Sequence, residues 1–208
     1  MNKYVMELIG TFFLVLTIGL TVIGNGSGVI PPLAIGSVLM VMVYAGGHIS
    51  GAHYNPMVTL ALWIRGRCAS KDVIPYWIAQ IIAAAAAASI IKILKAGIEI
   101  KAMNLDPGPA LIAEFIFSFA LAFIVLSTAT VKSTAGNSYY GLAIGFVVLA
   151  GAFSVGNISG GVFNPAVATG ITAMGLVHWG SFWIYLVSNF LGGAVAAVVF
   201  KSLNPEDK

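Results

Sequence analysis

Asn55-Pro56-Met57 and Asn164-Pro165-Ala166 stand 109 positions apart in a chain that is otherwise strongly apolar. Asn caps the free N–H groups at a helix start, and Pro suits the first helical position because it has no N–H to lose. The chemistry this offers is recognition without reaction. A capping Asn uses its side-chain oxygen and still carries N–H donors that a polar molecule can meet. A helix start also presents roughly half a positive charge. Two such starts facing one another would hold a neutral, oxygen-bearing molecule and repel a cation. Two fixed donors would orient a passing water with its oxygen toward both, which interrupts a proton wire.

A helix can start inside a bilayer only where the broken backbone lines a wet cavity or is buried in protein. The composition places these starts in a bilayer: of 208 residues, 59% are hydrophobic and 8% charged, against about 25% charged in a soluble domain. Six apolar stretches, roughly 4–24, 33–50, 73–95, 109–131, 139–157 and 179–201, are long enough to cross ~30 Å of hydrocarbon. Two shorter ones, about 56–64 and 165–177, follow the Asn-Pro pairs and read as half-helices. The first stretch is expected to be a retained helix and not a signal peptide, because no small-residue cleavage site follows it.

The repeat extends beyond the triplets. At the same offset Gly36 matches Gly145, His48-Ile49-Ser50-Gly51 matches Asn157-Ile158-Ser159-Gly160, and Tyr76 and Gln80 match Tyr185 and Asn189. Glu7 and Glu114 occupy similar places near the starts of the first and fourth spans. Each half holds three spans, an odd number, so the second half enters from the opposite face. The expected fold is an all-α membrane protein of six transmembrane helices and two re-entrant half-helices in an inverted 3+3 repeat. Residues 1–208 then form a single transmembrane channel domain, with repeat one at about 1–98 and repeat two at about 108–203. Ala83 to Ala88 and Gly192-Gly193-Ala194 supply the small faces that let spans approach closely in lipid.

Lys3, Arg65, Arg67, Lys71, Lys132, Lys201 and Lys208 fall on one side, and Lys92, Lys95 and Lys101 on the other. The basic excess places both termini in the cytoplasm. The net charge of +3 reports topology here, so no nucleic-acid partner is expected. Trp63, Trp77, Trp179 and Trp183 suit an interfacial aromatic belt. A single cysteine, Cys68, excludes an internal disulfide, and no nucleophile–base pair or metal-ligand cluster appears. Neither catalysis, a cofactor nor a metal is expected.

The stretches Gly47-His48-Ile49-Ser50-Gly51-Ala52-His53-Tyr54-Asn55-Pro56 and Ser159-Gly160-Gly161-Val162-Phe163-Asn164-Pro165-Ala166 resemble those of the aquaporin family, the major intrinsic proteins. The resemblance covers essentially the whole chain. It implies a pore in every subunit of a homotetramer in the cell membrane, conducting water or small neutral solutes, with lipid as the other partner. In the resemblance Glu7 and Glu114 accept hydrogen bonds from the re-entrant loops, and His48 and His53 hold the first loop and line the vestibule. A proton-coupling role for the two carboxylates, and a pH-gating His, are the alternatives to those structural roles.

The chain departs from the family at two places. Most members carry an arginine three residues after the second Asn; here that position is Val167. The remaining filter positions match Ile35, Ala152 and Gly161, so the implied ring is apolar with small side chains. Pore width, lining donors and electrostatic barriers set selectivity, and this ring predicts a mouth wide enough for glycerol, urea, ammonia or hydrogen peroxide. Met57 replaces the usual Ala, and a long, deformable Met could narrow the midpoint or fold into packing. Two rivals to a passive channel are a coupled secondary transporter working through Glu7 and Glu114, and a non-conducting structural member of the fold.

Overall fold

A computed structural model describes residues 1–24 and 28–207; Lys208, counted above among the cytoplasmic charges, lies outside the described residues. Eight α-helices are found among them: α1 Asn2–Val22, α2 Ile30–Ser50, α3 Pro56–Arg65, α4 Ser70–Leu94, α5 Pro107–Ala129, α6 Tyr140–Ser159, α7 Pro165–Met174 and α8 Phe182–Leu203. Six are long and apolar enough to cross a membrane. The other two, α3 and α7, have 10 residues each. At 1.5 Å per residue each reaches about 15 Å, half the hydrocarbon thickness.

The stops are as symmetric as the starts. Gly51, Gly66, Gly160 and Gly175 end α2, α3, α6 and α7 with φ of 85°, 83°, 89° and 88°. A residue without Cβ takes that left-handed turn at no steric cost. Gly175 is why α7 stops at Met174, short of the 177 expected from the apolar run.

The two half-helices enter from opposite ends of the bundle. At one end Arg65, closing α3, meets Asp207 beyond α8 (2.9 Å), and Lys3 of α1 meets Asp72 of α4 (2.6 Å). At the other, the segment after α4 pairs with the segment after α7 through Met103 and Val177. Within each half the first and last spans pack together, α1 on α4 and α5 on α8. The half-helices cross over: α3 packs on α8 and α7 on α4. Between the halves α2 lies on α6, where a Cβ on Gly145 would stand 2.5 Å from the Gly36 carbonyl and one on Gly36 2.8 Å from the Gly145 carbonyl. Backbone meets backbone there, as small residues permit in lipid. The alanine run serves the same end: Ala83, Ala84, Ala87 and Ala88 are buried on one side of α4.

Candidate functional site: a cavity at the meeting of two half-helices

Asn55 and Asn164 sit in extended conformation before their helices. The Asn55 Oδ1 accepts from the Met57 N–H (2.9 Å), and the Asn164 Oδ1 accepts from Ala166 (2.9 Å) and Val167 (3.3 Å). Each carboxamide also does something the spacing does not disclose. The Asn55 Nδ2 donates to the Phe163 carbonyl at 2.8 Å, and the Asn164 Nδ2 donates to the Tyr54 carbonyl at 2.9 Å. The two loops are therefore laced to each other at their tips. A primary amide has two N–H groups, so each Asn keeps one donor for whatever lies beside it.

The loops that deliver these asparagines are held from behind by carboxylates. Glu7 accepts from the Ser50 hydroxyl (2.6 Å), the His53 and Tyr54 N–H groups (2.9 and 2.7 Å) and the Gln80 amide (2.8 Å). Glu114 accepts from the Ser159 hydroxyl (2.7 Å), the Val162 and Phe163 N–H groups (2.8 and 2.7 Å) and the Asn189 amide (2.9 Å). Both carboxylates are 0% exposed. Four donors apiece make such burial tolerable, because a buried charge must be paired or hydrogen-bonded. Tyr76 and Tyr185 complete each cradle by donating to the Ser50 and Ser159 carbonyls, both at 2.7 Å. The repeat matched Tyr76 with Tyr185 and Gln80 with Asn189, but polar residues recurring inside apolar spans were the signal of a shared loop-holding task.

The fixed loops take unusual backbone shapes. Ala52, Tyr54 and Phe163 have φ of 51°, 48° and 49°, where side chains are disfavoured and persist only if the surroundings over-determine them. The two carboxylate cradles and the crossed Asn bonds provide that determination. His53 is buried, its Nδ1 3.0 Å from the Thr59 Oγ1 and its ring against Tyr76. His48 is exposed in the last turn of α2, away from this network. Trp77 is not confined to an interfacial belt: its indole N–H donates to the Pro56 carbonyl at 3.0 Å and steadies the start of α3.

A cavity of about 630 Å³ runs from the end covered by the α4–α5 segment past both asparagines. Ile35, Ala152, Gly161 and Val167 all line it, together with Asn55, Asn164 and His53. Its remaining walls are mostly apolar, with Leu14, Ile18, Leu39, Leu121, Val125 and Val148 among them, and Ser154, Asn157 and Lys101 add polar groups. Glu7 and Glu114 do not line it. Pro56, Met57, Pro165 and Ala166 are buried in packing behind the two asparagines. Met57 is 0% exposed and fits over Gly193 of α8, where an added Cβ would come within 2.5 Å of its Cγ and Sδ. Of the two destinations open to this side chain, it takes packing. No group of three or more His, Cys, Asp or Glu that could hold a metal occurs among the described residues.

Six apolar spans in two inverted halves, with two half-helices meeting at a largely apolar cavity, define a multi-pass membrane protein of channel architecture. The sequence matches the model of the Major intrinsic protein family over residues 1–200, and the chain belongs to that family. Among similar proteins, Aquaporin NIP1-3 of Oryza sativa subsp. japonica is 35% identical over 217 residues, covering 100% of this chain and 75% of its own length. Aquaporin Z of Rhodopseudomonas palustris is 32% identical over 239 residues, covering 99% of this chain and 94% of its own. The aquaglyceroporin of Plasmodium falciparum superposes with a TM-score of 0.84 at 20% identity, over 99% of this chain and 97% of the other. An FNT family ion channel shares the fold more loosely, with a TM-score of 0.64 at 12% identity over 98% and 88% of the two chains.

Proposed function

We propose that the chain is a passive, bidirectional channel for water and small uncharged solutes, with Ile35, Ala152, Gly161 and Val167 as its outer filter. One observation carries this reading: the four residues and both half-helix caps line one cavity, with no carboxylate among the described residues of its lining. A neutral molecule there meets two spare amide donors and mostly apolar walls, and shedding water costs it far less than it costs an ion. A cation meets the positive ends of two helices, each worth roughly half a charge, in a space with few ligands to replace its hydration. The loop carbonyls near Ala52 to Tyr54 and Gly160 to Val162 are the acceptors that a hydroxyl or amide solute would track.

The filter is small and apolar, so it sorts by size and not by hydrogen-bond geometry. Glycerol, urea, ammonia and hydrogen peroxide are the substrate class it suits. Names of relatives support the class, since both sequence relatives are aquaporins and the structural neighbour is an aquaglyceroporin. The channel acts as one domain made of the repeats 1–98 and 108–203, assembled as a homotetramer in the cytoplasmic membrane. Both termini face the cytoplasm, supported by the basic residues Lys3, Arg65, Arg67 and Lys132 gathered at one end.

Stopped-flow light scattering on proteoliposomes tests both the channel and its filter, comparing the native protein with Val167→Arg across a panel of solutes. Native protein should accelerate osmotic shrinkage and solute entry. The arginine variant should lose the larger solutes, on the order of ten-fold for glycerol, before it loses water, because about 1.4 kcal/mol of added barrier suffices. Identical solute profiles would remove the filter assignment; no acceleration by either protein would remove the channel.

A further inference from the structure

Among the described residues that line the cavity, Lys101 is the only lysine or arginine, and no Asp or Glu accompanies it. It comes from the segment between α4 and α5, which is fastened on both sides of it. Ile98 lies against Gly24, Ile100 and Leu105 pack on the core, and the Met103 N–H donates to the Leu176 carbonyl at 2.9 Å. These anchors fix the backbone on either side, so Lys101 has a set place in the cavity lining and is not on a free loop. Lys101 is exposed, and among the described residues it forms no ion pair. Glu99, Lys92 and His178 are its ionisable neighbours across an adjoining depression.

We propose that Lys101 is the cation barrier of the outer mouth, supplying from a loop the charge that Val167 does not supply from the half-helix. The inference rests on the reading of the cavity as a conducting pore. A mouth with low-dielectric walls focuses the field of a single charge, and among the described residues its lining holds no carboxylate, Glu99 lining the adjoining depression instead. An exposed ammonium is nevertheless screened by salt, over about 8 Å at physiological ionic strength. A barrier made this way weakens as salt rises, whereas helix dipoles buried beside Asn55 and Asn164 do not. That difference separates the two contributions. The ammonium also imposes less width restriction than a planar guanidinium in the ring would, so cation exclusion and a size-tolerant filter become compatible.

The test is rubidium uptake into proteoliposomes, divided for each protein by its own osmotic water flux, for native protein, Lys101→Gln and Lys101→Glu. At about 10 mM salt the ratio should rise several-fold for Lys101→Gln and on the order of ten-fold for Lys101→Glu, and the three should converge near 0.5 M. Equal ratios for the three proteins at low salt would overturn the inference. Should Lys101→Glu fail to assemble, Lys101→Gln and the native protein decide it, and a native ratio that does not climb with salt counts against Lys101. Absence of water flux in the native protein would instead overturn the channel reading on which the inference rests.

Discussion

The side chain at position 57 shows how a single departure from a repeated motif is absorbed. Met57 occupies the place that Ala166 holds in the other half, and it is larger by several heavy atoms. The repeat partner of Gly193 is Ala84, so the two halves carry a large–small pair and a small–small pair at equivalent places. Gly193 is the notch that keeps Met57 out of the cavity: a Cβ there would meet its thioether at 2.5 Å. Gly193→Ala alone should therefore overpack the site and cost about 1–3 kcal/mol. Met57→Ala alone should leave a void costing about 2–5 kcal/mol. Combined, they rebuild the pairing of the other half, and the double variant should be more stable than the sum of the singles by about 0.5–3 kcal/mol. Unfolding in detergent of the four proteins measures that coupling, and strictly additive losses would show that Met57 has no need of the notch.

At the scale of elements, spans, half-helices and their inverted order were legible because each leaves a local mark: an apolar run, an Asn-Pro start, a glycine stop. The contacts that lace the two loop tips together left no such mark. The crossed bonds of Asn55 and Asn164 join backbone carbonyls more than 100 residues away, and carbonyls have no residue type to read. Lys101 read as an outer topological charge, since only the anchors at Ile98 and Met103 bring it to the cavity. The last turn of α3 is a similar case. Arg65, almost fully buried, donates to Asp207 at 2.9 Å and lies over the Phe200 ring, and the Lys132 N–H donates to the same carboxylate at 2.8 Å. The tail after α8 thereby clamps a half-helix and the α5–α6 connection with one acidic residue. The Lys132 N–H, and after it the Arg65 guanidinium, hold the Asp207 carboxyl below the usual carboxylate range. A lowered folded-state value means that the clamp contributes stability above the unfolded value of about 3.9 and loses it as pH falls through the folded one. Hydrogen exchange at residues 204–207 should stay protected from pH 7 down to about pH 4 and open below it. Asp207→Asn should be equally open at every pH, and a native tail whose protection ignores pH would dismiss the clamp.

The whole molecule is two halves that each hold the tip of the other's re-entrant loop. Glu7 grips the loop of its own half from behind, yet the tip of that loop, the Tyr54 carbonyl, is held by Asn164 of the other half. Glu114, Phe163 and Asn55 repeat the pattern in reverse. Half-helices that pack on the last span of the opposite half reinforce the same exchange. Neither half can set the width of the cavity alone, which makes the junction rigid where a pore has to be. The asparagines are thus caps and ties at once, and substitution can separate the two duties. Serine caps a helix about as well as asparagine, but it has no amide N–H to reach a carbonyl across the loops. Asn164→Ser should keep α7 intact and leave the Tyr54 carbonyl unpaired, at a cost of about 1–3 kcal/mol. Asn164→Ala should lose the cap as well, for about 1 kcal/mol more. Thermal unfolding in detergent, followed by circular dichroism, ranks the three proteins. A stability order of native, then Ser, then Ala supports both duties, whereas Ser equal to native would reduce Asn164 to a cap and leave the two halves held together by helix packing alone.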